Sequence, residues 1–144
     1  MTVKLTIPAV PVAQPRHRVA KTGVAYLPSD HPVHAFKATC ALTWHQEAQS
    51  GPLTGPIHLD VIFVLPRPQR LTRKRRANPR VHHDKKPDLD NLLKALKDSL
   101  NKLAWHDDSQ VCSCHAVKCY ASADEPPHVE LVVGPFGESE AEDE

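Results

Sequence analysis

Asp88, Asp90, Lys94 and Asp98 stand in the pattern D-x-D-N-x-x-K-x-x-x-D, and "WHDDSQV", residues 105–111, adds Asp107 and Asp108. Carboxylates gathered in a small space repel one another unless a cation lies among them. An oxygen-only donor set suits Mg²⁺, or Mn²⁺, rather than zinc. Such an ion lowers the pKa of water and polarises a phosphoryl oxygen, which is the equipment for phosphodiester hydrolysis. A lysine one helical turn from Asp90 can offset the charge that gathers on the phosphate.

The element that must position these groups is a helix. Leu89, Leu92, Leu93, Leu96, Leu100 and Leu103 repeat at helical spacing and form a core-facing stripe, with Asp90, Lys94 and Asn101 on one flank. Residues two apart on a helix point in nearly opposite directions, so Asp88 and Asp90 converge only if Asp88 lies outside it. Pro87 suggests that geometry: Asp88 as an extended cap and Asp90 in the first turn. A third acid from Asp107 and Asp108 could then complete a cluster. Each acid also has a structural reading, because Asp at a helix N-terminus is an ordinary cap and Asp-Asp pairs are common in loops. The joint pattern is far more specific than its parts.

Just before the helix, "RPQRLTRKRRANPR" (67–80) is almost purely basic. Arg67, Arg70, Arg73, Lys74, Arg75, Arg76, Arg80, Lys85 and Lys86 make nine bases up to residue 86, against the single acid Asp84. The net charge of +1 hides this block, because "GESEAEDE" at the C-terminus holds five acids. A polyanion meets local charge, and each base on a phosphate releases counterions. With no aromatic side chain to stack on bases, the run would hold backbones rather than read sequence. The alternative is a solvated loop. Arg16 and Arg18 offer a second phosphate contact.

"KPDLDNLLKALKDSLNKLAWHDDSQV" (86–111) resembles the signature of the RusA-like Holliday junction resolvases, found largely in phages and prophages. "PVAQPRHRVAKTGVAYLP" (11–28) is similar to the proline- and arginine-rich opening of its phage members. The likeness spans roughly residues 3–133. It implies that Asp88, Asp90 and Asp108 bind Mg²⁺ and that Lys94 is essential. It also implies a homodimer that nicks two opposed strands of a four-way DNA junction, leaving 5′-phosphate and 3′-hydroxyl ends. The roles of Asp98 and Asp107 stay open. The long basic loop and the acidic tail depart from the simplest family pattern. Two rivals remain: a junction-binding protein without cleavage, and a nuclease acting on flaps or forks.

A chain of 144 residues suits one domain, taken as residues 1–134 with an acidic tail over 135–144. No apolar run is long enough to span a membrane, and the N-terminus lacks signal-peptide features, so a cytoplasmic protein is expected, in the host cytoplasm if phage-encoded. Cys40, Cys112, Cys114 and Cys119 then read as free thiols. The spacing of the last three, with His115, does not match paired zinc-knuckle cysteines. His82, His83 and His106 read as surface residues, and Trp44 and Trp105 as packing anchors.

"VKLTI" and "PIHLDVIFVLP" alternate as strands, with Ile57, Leu59, Val61, Phe63 and Leu65 on one face. Residues 11–32 read as loop, in which Ser29 or Asp30 with Pro32 gives a helix-start signal, followed by a helix over 32–49. "QVCSCHAVKCY" and "HVELVV" read as strands joined as a hairpin. The order β-α-β-α-β-β predicts an α+β domain of two layers, a small mixed sheet covered by two helices.

Overall fold

The computed structural model describes residues 2–72 and 79–137. The chain runs β1 (Val3–Ile7), β2 (Arg18–Val19), β3 (Ala25–Tyr26), α1 (Pro32–Glu47), β4 (Ile57–Leu65), β5 (Val81–His82), α2 (Leu89–Leu100), β6 (Val111–Tyr120) and β7 (His128–Pro135). The expected α+β fold is observed: a mixed five-stranded sheet in the order β1-β7-β4-β6-β5, with both helices packed together over it. Among the described residues, no helix is long and apolar enough to cross a membrane.

β4 is central because both of its faces are largely withdrawn from water. Ile57, Leu59, Val61, Phe63 and Leu65 are buried, as their alternation predicts, and Val64 is buried on the other face. β4 pairs parallel with β6, from Ile57 opposite Val111 to Leu65 opposite Tyr120, and antiparallel with β7. This placement corrects the expected hairpin between β6 and β7, which are not neighbours because β4 lies between them. Short-range turn chemistry in "ASADEPP" carries no information about that long-range choice. A second small departure is the β2–β3 hairpin within the predicted loop, turned through Gly23 at φ 86°.

α1 ends at Glu47 and is capped by His31, whose Nδ1 accepts from the backbone N–H of Val33, rather than by Ser29 or Asp30. Its buried stripe is Val33, Phe36, Cys40, Thr43 and Trp44. The spacing is helical, but the chemistry is mixed, which is why its period is faint in sequence. Burial drives the Cys40 thiol up to about 12, so it stays protonated as a small apolar packer. All four cysteines are free thiols, with Cys112 and Cys114 exposed.

α2 buries Leu92, Ala95, Leu96 and Leu100, while Leu89, Leu93 and Leu103 pack partly buried around that cluster. Trp105 is wholly enclosed. Leu96→Ala is expected to lower stability by about 2–5 kcal/mol, read from the urea midpoint with the slope unchanged.

Candidate active site

A parallel pair requires a crossover, and here α2 is that crossover. It carries the chain back from the Leu65/Tyr120 end of the sheet to the Ile57/Val111 end. Asp88 therefore stands before the helix and Asp108 beyond it. Asp88 is the N-cap in extended geometry (φ −70°, ψ 141°), with Asp90 in the first turn, and its side chain makes no cap hydrogen bond. The backbone N–H of Leu92 bonds the carbonyl of Asp88 at 3.1 Å.

Along the flank of α2 runs an open depression of about 270 Å³, lined by Asp90, Leu93, Lys94, Lys97, Asp98 and Asp108. Asp90, Lys94, Lys97 and Asp98 follow helical spacing, so one helix face supplies most of it. Three carboxylates and two ammonium groups alternate there. Asp90 Oδ1 accepts from the N–H of Asn91 at 3.0 Å, and Asp98 pairs with Lys37 of α1 at 3.6 Å. Lys97 was missed in the sequence, although its place one turn after Lys94 on the same flank was a usable signal.

Asp108 reaches the depression through a short 3-10 turn, Asp108–Gln110, that the motif W-x-D-D-x-Q-V builds. Asp107 caps this turn, accepting from the N–H of Ser109 at 2.9 Å, and hydrogen bonding from the Ser109 side chain first, and then from this N–H, holds its carboxyl below the usual range. Gln110 Oε1 accepts from the N–H groups of His106 and Asp107, while its Nε2 donates to the carbonyls of Leu53 and Gly55. The buried Trp105 donates its indole N–H to Asp108 Oδ1 at 2.8 Å. Adjacent acids thus have separate tasks: Asp107 holds the turn, and Asp108 faces the depression with one oxygen fixed.

The three aspartates are not gathered at one point. Asp88 is absent from the lining, and no group of three or more His, Cys, Asp or Glu among the described residues is arranged to hold a metal ion. The donors fit a hard cation in kind, and Asp90 and Asp108 share one depression.

The basic residues divide into two sets. Arg16, Arg18, Arg70, Lys85 and Lys86 are exposed, and Arg73, Lys74, Arg75 and Arg76 lie outside the described residues. Arg67 instead donates to the carbonyls of Leu71 (2.7 Å), Pro79 (2.6 Å) and Ala121 (3.1 Å), closing the base of the basic loop. Arg80 is bound by Glu125 at 2.7 Å and by Glu130. These internal partners compete with any phosphate. His83 departs from the surface expectation: it is 8% exposed and stacks on Tyr120 at 4.4 Å. Burial first, and then the nearby Lys118 cation, push its pKa down.

A groove that sets carboxylates beside lysines along one helix suits a phosphate ester together with its counter-ion. The family model for endodeoxyribonuclease RusA matches residues 8–133. The "Uncharacterized protein YqaN" of Bacillus subtilis (strain 168) is 31% identical over 137 residues, which is 91% of this chain and 94% of that protein. The chain belongs to the RusA endodeoxyribonuclease family, whose activity is directed at Holliday junctions.

Two predictions follow from the geometry. In a double-mutant cycle of Trp105→Phe and Asp108→Ala, the indole–carboxylate bond should appear as a coupling of about 1 kcal/mol, measured by denaturant unfolding. The second concerns Glu125, whose bond to Arg80 lowers its pKa from 4.5 to about 2. A depressed carboxyl pKa stabilises the fold above the unfolded value, and the benefit fades as pH falls through the folded value. Glu125→Gln should therefore melt below wild type at neutral pH, with the gap closing between pH 4.5 and about 2 in thermal scans.

Proposed function

We propose that this chain is a Mg²⁺-dependent endonuclease, with Mn²⁺ as a substitute, that resolves four-way DNA junctions by paired nicks as a homodimer. One observation carries the reading: Asp90, Lys94 and Asp108 line the same depression, and Asp108 is oriented there by the indole of Trp105. Residues 1–134 form the nuclease domain in this reading, acting in the cytoplasm.

Asp90 and Asp108, with Asp88 from the helix cap, are the residues that would hold the cation. When bound, the cation supplies Lewis acidity, easing ionisation of water and neutralising charge on the phosphate. Asp108 keeps one carboxylate oxygen on Trp105, which leaves the other directed to its task. Lys94 meets a non-bridging phosphate oxygen with its ammonium, as electrostatic support for a pentavalent transition state requires. Lys97, one turn further, extends the same support along the strand. Arg16, Arg18, Arg70 and the bases of residues 73–76, with Lys85 and Lys86, contact backbones of the incoming arms, and binding therefore weakens with salt. Arg67 and Arg80 act on the protein itself.

The helix-free face of the sheet supports the homodimer. It carries a depression of about 760 Å³ whose lining includes Lys4, Asp60, Ile62, His115, Val117 and Glu130. A two-fold interface uses one patch twice and must be self-complementary. A floor of Ile62 and Val117, rimmed by both carboxylates and cationic or titratable groups, meets that demand.

Cleavage of a mobile four-way junction beside linear duplex tests the reading. With Mg²⁺, wild type should nick opposed strands of the junction in pairs and spare the duplex. Asp90→Asn should lose about 100-fold or more in rate while still binding the junction in EDTA. Binding with no cleavage in any divalent metal would make this a junction-binding protein with capping aspartates. Equal cutting of flaps and forks would widen the substrate class.

A further inference from the structure

The carboxylate of Asp88 has no hydrogen bond of its own to the helix it caps, so its position depends on the chain that leads into it. Beyond the β5 pairing and the contact of His83 with Tyr120, that chain is attached to β6 through Lys118. Lys118 is half-buried, opposite Phe63 in the register of β4 and β6, on the sheet face that bears the helices. Its ammonium donates to the carbonyl of Lys85 and, at 2.7 Å, to the carbonyl of Pro87. Its own backbone carbonyl receives the N–H of His83 at 3.4 Å. The carbonyl of Pro87 belongs to the same peptide unit as the amide nitrogen of Asp88, so this grip ends one bond from the aspartate.

A half-buried ammonium normally takes a carboxylate partner. Among the described residues, no carboxylate lies within ion-pair distance of Lys118, and the partners it does have are backbone carbonyls of a single segment. A surface role would leave it free for solvent or for phosphate. Its bonds instead fix the path of residues 83–87, the last stretch of chain before the metal-type acids.

We propose that Lys118 is a positioning residue for Asp88: by tying the Lys85 and Pro87 carbonyls to β6 it sets where that carboxylate stands, and so sets the affinity of the carboxylate site for its cation. This rests on the reading of Asp88, Asp90 and Asp108 as the cation's ligands. Partners that orient ligands in this way typically account for about 10–100-fold in metal affinity. Lys118 touches neither substrate nor the reacting phosphate in this role.

The test uses the full chain and compares wild type, Lys118→Met, Lys118→Arg and Asp90→Asn. Lys118→Met keeps most of the aliphatic stem and removes the donors, whereas Lys118→Arg keeps donors on a stem of similar reach. Mn²⁺ binding is measured directly from the signal of the free ion, and amide hydrogen exchange is followed along the chain. The expected result is that Lys118→Met weakens Mn²⁺ binding about 10–100-fold and speeds exchange across residues 83–92, with β4 and β7 unaffected. Lys118→Arg should recover most of the affinity.

Unchanged Mn²⁺ affinity and exchange in Lys118→Met would overturn the proposal. So would faster exchange throughout the sheet with no rescue by arginine, because Lys118 would then support the fold at large. Asp90→Asn keeps the two readings apart. If it binds Mn²⁺ as well as wild type does, the carboxylate site itself is wrong, and the role of Lys118 in it falls too. Loss of Mn²⁺ binding in Asp90→Asn but not in Lys118→Met sinks only the positioning role.

Discussion

Parallel pairing of β4 with β6 is the constraint on which the other features depend. Two parallel neighbours cannot be joined by a tight turn, so the chain must travel back over one face of the sheet. The candidate carboxylates and most of the bases lie on that return journey: the basic segment after Leu65, the acidic helix, and the Trp105–Gln110 turn that hands the chain to Val111. The opposition of basic and acidic blocks in the sequence is therefore a spatial order along one crossover. Its first part carries the bases, and its second part carries the carboxylates.

The crossover is held by the core as well as by its own bonds. Leu92, Leu96 and Leu100 are buried without remainder, and so is Trp105 just past the helix. Their burial fixes the helix against the core and so holds its outer flank, with Asp90, Lys94, Lys97 and Asp98 close together, in one orientation. Trp105 joins the two sides, since its ring lies in the core and its N–H lies on Asp108.

Much of this was legible in the sequence because it is local. The alternation of Val3, Leu5 and Ile7, the nine-residue β4 and the leucine stripe of α2 announce themselves by period, and Pro87 announces the extended cap at Asp88. What escaped was either long-range or chemically mixed. The separation of β6 from β7 depends on partners 54 to 78 residues away in the chain. The inner face of α1 uses Cys40, Thr43 and Trp44, which no apolar period reveals. Arg67 and Arg80 look like their basic neighbours in sequence, yet three carbonyls hold the one and two carboxylates the other.

Arg67 binds the carbonyls of Leu71, Pro79 and Ala121 at once, and so draws the two ends of the basic segment together on the last residues of the β4–β6 pair. A single guanidinium thus pins both flanks of the basic segment to the sheet edge, so Leu71 and Pro79 keep their places without help from the chain that leads from His83 into Asp88.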